Sequence, residues 1–109
     1  MIMELKELLE FIEVQDGRLK RYYNIDKDKQ ILARAVKLAE EVGELSNEVL
    51  ANISLQRKDK LEKLDKTNLS AEFADVIITT LLLAKAMDVD IKSAIDNKVA
   101  KLNKKYEKV

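Results

Sequence analysis

The chain has 109 residues, with twenty basic and twenty acidic side chains that cancel. That length fits one domain with a modest core, and the zero net charge makes nucleic acid an unlikely partner, since a dedicated binder normally carries a basic excess. With no Cys and no His, disulfides, thiolate chemistry, imidazole bases and His or Cys metal ligands are all excluded. Chemistry is left to carboxylates, Lys, Arg, Tyr, Ser, Thr and Asn.

No proline and only two glycines, in a chain rich in Ala, Glu, Lys and Leu, point to an all-α fold of four to five helices. The start, Met1-Ile-Met-Glu-Leu-Lys, carries charges inside any apolar run and does not read as a signal peptide. The longest apolar run, 76–84, is broken by two threonines and is far short of the roughly 20 residues of a membrane span. The expectation is a single cytoplasmic domain over 1–109 that does not enter a membrane.

Ile2, Leu5, Leu8, Leu9 and Ile12 recur at helical spacing, so an amphipathic helix is expected over the first fifteen or so residues. Gly17 is its expected C-cap, closing an N-terminal unit over 1–17. The next ten residues look less regular. There Tyr22 and Tyr23 stand beside Arg18, Lys20 and Arg21. Such a pair can stack on a base while the cations meet phosphate, or one ring can pack on the core.

A second helix is expected from Asp26 or Asp28 as N-cap to about Ile53, with Ile31, Ala35, Leu38, Val42, Leu45 and Val49 as its core stripe. It contains the most unusual stretch, Leu38-Ala-Glu-Glu-Val-Gly-Glu-Leu45. Glu41, Glu44 and Glu48 fall on one helical face, Glu40 is adjacent, and no Lys or Arg occurs between Leu38 and Gln56. Gly43 inside a helix costs roughly 1 kcal/mol relative to Ala. Its expected use is close approach of another backbone or room beside the carboxylates. Residues 54–68 form a charged connection whose lysines read as solvated surface.

From Ala71 to Met87, twelve of seventeen residues are apolar and surround the helix, which marks a buried helix. Its only acids, Glu72 and Asp75, are three apart, and Thr79 follows one turn later on the same face. A buried carboxylate without a partner protonates or finds a cation. Asp90 is the expected N-cap of a last helix, Ile91 to about Tyr106. Ile91, Ala94, Ile95, Val99 and Leu102 should face inward, with Lys98, Lys101, Lys104 and Lys105 opposite.

Antiparallel packing of the two acidic helices brings Glu41, Glu44, Glu72 and Asp75 together. Four converging carboxylates repel unless a hard cation joins them. All-oxygen ligation suits magnesium, calcium or manganese, and magnesium is usually completed by water and substrate phosphates. The missing His argues against a ferritin-like di-iron site.

Glu40-Glu41-x-x-Glu44 followed by Glu72-x-x-Asp75, with the flanking Val-Gly-Glu-Leu and Ala-Asp-Val-Ile, resembles the MazG-like all-α nucleoside triphosphate pyrophosphohydrolases. That superfamily includes dimeric dUTPases, dCTP pyrophosphatases and phosphoribosyl-ATP pyrophosphohydrolases. The resemblance covers a motif-bearing core over 28–106. It implies magnesium (manganese as a substitute) on Glu41, Glu44, Glu72 and Asp75. It further implies Glu40 orienting water, Glu40 or Glu41 accepting its proton, and cleavage of a triphosphate to monophosphate and pyrophosphate in nucleotide-pool house-cleaning. In dCTP pyrophosphatase-like members the last helix carries Lys-x-x-x-Asn-x-x-x-Tyr. Lys98 and Tyr106 match, while Leu102 stands at the Asn position with Asn103 beside it. Those members carry Tyr where Thr79 stands, and tryptophans around the base, which this chain lacks. Lys98 and Lys101 would neutralise phosphates, and Thr79, Tyr22, Tyr23 and Tyr106 would lie near the nucleotide.

A helix apolar all round needs more cover than one short chain gives, so a homodimer or dimer of dimers with a shared four-helix core is expected. The rival readings are a non-catalytic helical interaction protein and a nucleic-acid-binding bundle using the lysines of 57–66 and 98–108.

Overall fold

The structure, a computed structural model, describes residues 3–53 and 66–107. Four helices and no strand occur among the described residues: α1 Leu5–Tyr23, α2 Lys27–Asn52, α3 Lys66–Ala86 and α4 Ile91–Tyr106. The fold is all-α, as composition and periodicity predict. None of these helices is long and apolar enough to cross a membrane. The expected connection over 54–68 lies largely outside the described residues.

Side-chain caps fix two helix starts. Asp26 accepts from the Lys29 backbone N–H at 2.9 Å, and Asp90 from that of Ser93 at 3.1 Å. Each satisfies one of the orphan donors of a first turn. Gly17 does not end α1, contrary to expectation. The helix runs six residues further, to Tyr23, and is capped by Asn24, which adopts the left-handed conformation (φ 49°) and returns its N–H to the Lys20 carbonyl. Asn tolerates that conformation, and Leu19 keeps the apolar period going past the glycine, so nothing forces an earlier stop. Asp88 (φ 56°) takes the same role after α3. Its N–H meets the Lys85 carbonyl and the Val89 N–H meets that of Ala84, the paired bonds of a Schellman turn.

Helix α3 is the hub. It packs along α2 and, less extensively, against α1. Ile12, Leu81 and Leu82 form the core, with Leu8, Leu19, Ile78 and Ile91 packed against it. The Lys27–Asp88 ion pair (2.7 Å) ties the start of α2 to the turn after α3, and Lys85–Glu13 (2.8 Å) ties α3 to α1.

Two core assignments need correction. On α2 the covered stripe is Ile31, Arg34, Leu38, Glu41, Leu45 and Glu48, while Ala35, Val42 and Val49 are exposed. The helix is rolled so that a polar residue enters the interior every seventh position, and the buried groups are paired or acidic rather than apolar. On α4 only Ile91 is partly buried. Ala94, Ile95, Val99 and Leu102 are exposed, because within one chain little lies against this helix. Helix α3 is likewise buried only towards its C-terminal end, with Phe73 and Ile77 exposed.

Between α1 and α2 lies a buried ion pair. Asp16 is 4% exposed and Arg34 7%. Arg34 Nη1 donates to Asp16 Oδ1 at 2.7 Å and to the Leu82 carbonyl at 2.8 Å, so one guanidinium joins three helices. Lys20 adds a second contact to Asp16 at 3.0 Å. Burial pulls the Asp16 carboxyl upward, but the hydrogen bonds from Arg34 and Lys20 outweigh it and leave it below its ordinary value.

Candidate metal centre and adjoining cavity

The roll of α2 turns Glu41 inward against α3, where Glu72 and Asp75 stand one turn apart. One carboxylate oxygen from each of Glu41, Glu72 and Asp75 lies within 4.8 Å of the others. Opposite ligands of a magnesium ion at 2.0–2.1 Å are about 4.2 Å apart, so a small side-chain movement closes the trio on one ion.

The donors are poorly satisfied as they stand. Glu41 is 6% exposed, and its Oε2, like Glu72 Oε2, is buried without a hydrogen-bond partner. Among the described residues no lysine or arginine forms an ion pair with Glu72 or Asp75. Desolvation first, then the charge of Glu44 and the proximity of Glu41 and Asp75, push Glu72 up to about 7. Buried, unpartnered carboxylate oxygens, with one carboxyl of the group raised by its acidic neighbours, are what an all-carboxylate cation site looks like before its ion is added. Oxygen donors alone suit magnesium or manganese, so the residues fit the group.

Glu44 is exposed and outside the closest trio, yet near enough for its charge to act on Glu72. Glu40 is exposed and accepts from Lys37 Nζ at 3.4 Å; the same ammonium is 3.1 Å from Glu41 Oε1. Next to this pair a cavity of about 350 Å³ opens between α1, α2 and α3. Leu19, Ile25, Ala33 and Leu82 give it apolar walls, and Arg34, Lys37, Thr79 and Tyr23 stand around them. Its volume is in the range of small-molecule sites.

Thr79 and Tyr23 therefore border the cavity. Tyr22 does not line it; its ring packs edge-on against Tyr23, centroids 4.9 Å apart. Lys98, Lys101 and Tyr106 are exposed on α4 and line none of the cavities described here. Among the described residues Gly43 has no atom within 4 Å of where a Cβ would stand, so neither backbone approach nor carboxylate crowding among them requires it.

The sequence profile of the MazG-like family matches residues 32–109, from the second turn of α2 onwards. The chain belongs to the MazG-like family. The match contains all five acids, Glu40, Glu41, Glu44, Glu72 and Asp75. For the MazG-like chain the family indicates a fold and an enzyme class of the nucleotide pyrophosphohydrolase type. No curated protein and no solved structure matches it.

Sequence reasoning missed Lys37, Arg34 and Asp16. Lys37 stands four residues before Glu41, the spacing of a helical ion pair. Asp16 follows Ile12 by one turn and Arg34 follows Ile31 by three residues, so each continues the apolar period of its own helix. Opposite charges at interior positions of two neighbouring helices were the available signal.

Proposed function

We propose that this MazG-like chain hydrolyses nucleoside triphosphates, deoxy or non-standard ones included, to monophosphate and pyrophosphate with a divalent cation, magnesium or manganese. The observation that carries the reading is the Glu41, Glu72 and Asp75 trio, with two buried unpartnered oxygens, set beside a cavity of nucleoside size. Glu41, Glu72 and Asp75, with Glu44 at the rim, would hold the cation. Bound there, it would supply charge stabilisation to the phosphate oxygens and acidify a water.

The chain's own residues do the rest. The cavity takes the nucleoside and excludes water from its apolar walls, which leaves the phosphates directed at the carboxylates. Glu40, half-free at the edge of the cluster, accepts the proton of the attacking water.

Assembly belongs to the same reading. The apolar side chains left open on α2, α3 and α4 (Leu32, Val36, Phe73, Ile77, Ile95 and Val99 among them) support a homodimer or a dimer of dimers with a shared four-helix core. In such an assembly α4 of one copy can bring Lys98, Lys101 and Tyr106 to the site of another. Single apolar residues on a surface are ordinary; this many on three helices of one small domain support an interaction surface.

The test is pyrophosphate release from a panel of ribo- and deoxynucleoside triphosphates with magnesium. Release from at least one, lost in Glu41→Gln and Asp75→Asn, is expected. No release from any of them, or release that survives both substitutions, overturns the proposal.

A further inference from the structure

Lys37 is the one cation among the described residues that touches both halves of the candidate site. Its Nζ is 3.1 Å from Glu41 Oε1 and 3.4 Å from Glu40 Oε1. The same side chain lines the cavity next to Arg34 and Thr79. Glu41 is thus claimed twice, by the carboxylate trio and by an ammonium. Lys37 holds Oε1 while Oε2 is left without a partner, and the single charge of the carboxylate is what an ammonium and a divalent cation compete for.

The pair is built to separate. Lys37 is 55% exposed, so water screens the ammonium end of the pair. Lys placed N-terminal to Glu is also the weaker of the two helical orders. Its partner Glu41 is fixed and buried, whereas the lysine ends a flexible four-carbon stem. When the pair breaks, the ammonium moves and the carboxylate stays. The side chain already lines the cavity, so a displaced ammonium can turn to a polyanionic ligand that bridges cavity and carboxylates.

We propose that Lys37 is an exchangeable counter-ion. It neutralises the Glu41 carboxylate in the metal-free protein, yields that carboxylate to the divalent cation, and transfers to a phosphate oxygen of the substrate. This rests on the hydrolase reading above and adds a phosphate-binding residue to it. Two consequences follow from the swap. Lys37 weakens cation binding to the free protein by competition. Once displaced, it strengthens binding of the phosphate chain, so cation and phosphate favour each other, reciprocally.

The test uses Lys37→Met, which keeps the length of the stem and removes the charge. Mn2+ alone, titrated into the full chain by calorimetry or electron paramagnetic resonance, should bind the variant about two- to fivefold more tightly than wild type, the worth of an exposed ion pair. KM for the best triphosphate should rise about tenfold or more, the loss of one charge-assisted hydrogen bond, with kcat changed less. Lys37→Arg should restore most of KM. A merely structural lysine would not tighten Mn2+ binding when removed. If Mn2+ binds wild type and Lys37→Met with equal affinity, or the variant more weakly, the counter-ion role is wrong and the metal reading stands. If Mn2+ does not bind wild type, the metal reading fails and this role with it.

Discussion

Removing Asp16 should cost more than removing its partner Arg34. The Arg34 guanidinium is 7% exposed and has two acceptors, Asp16 Oδ1 at 2.7 Å and the Leu82 carbonyl at 2.8 Å, with Nη2 already unpartnered. In Asp16→Leu only the carbonyl remains, and a full positive charge is stranded between α1, α2 and α3. Stranding one member of a buried pair costs about 3–5 kcal/mol, out of the roughly 5–15 kcal/mol that holds a domain together. Arg34→Met is milder, because Asp16 keeps Lys20 at 3.0 Å, a partner that already reaches solvent. The double variant carries no buried charge and should be more stable than Asp16→Leu alone. Urea denaturation at one fixed protein concentration reads this directly. With a slope of about 1–3 kcal/mol per molar, the Asp16→Leu midpoint should fall by at least about 1 M. A fall worth less than 1 kcal/mol, or a double variant weaker than Asp16→Leu, would refute the reasoning. The pair also sets an acid limit. The folded Asp16 carboxyl lies below its ordinary value, so its contribution is fully present above the unfolded pKa of about 3.9. It is lost as pH falls through the folded one. Wild type should therefore lose more stability than the double variant between pH 5 and pH 2, roughly the range in which an ion-paired aspartate titrates.

Three further outcomes are expected. Glu72→Gln removes a carboxyl whose ionisation burial and its acidic neighbours oppose, so above pH 7, where wild type must ionise it, the metal-free variant should show a higher urea midpoint than wild type. The same variant should lose Mn2+ binding, a trade of stability against function. Gly43→Ala discriminates between a free and a covered face. With nothing within 4 Å of the added methyl, it should stabilise an isolated chain by about 0.5–1 kcal/mol, whereas a second copy packed closely on that face turns the sign, readable by the same denaturation. Ile77→Asp, at an exposed apolar position of α3, should halve the mass seen by light scattering while leaving circular dichroism helical; an unchanged mass removes Ile77 from the assembly surface.

Periodicity alone carried the helices. Asp26 and Asp90 as N-caps were legible because a short acidic side chain before an apolar-periodic run has one good use. The acidic motif was legible for a similar reason: Glu72 and Asp75 stand on an otherwise apolar helix, where a carboxylate needs explaining. Tertiary structure decided which face of α2 enters the interior. The apolar residues Ala35, Val42 and Val49 sit one position from Arg34, Glu41 and Glu48, and a hydrophobic count prefers the first set. Packing against α3 chose the second, because Arg34 finds Asp16 and the Leu82 carbonyl there, contacts separated by eighteen and forty-eight residues in the chain. The end of α1 was missed for a local reason, since Asn24 caps as well as a glycine would. The sequence thus determined the helices, the two acidic N-caps and the acids Glu41, Glu72 and Asp75 that the fold brings together. Only the fold decided that Glu41 meets Lys37, that a cavity adjoins it, and that Asp16 and Arg34 pair in the interior, because each depends on how far a helix is rolled about its own axis.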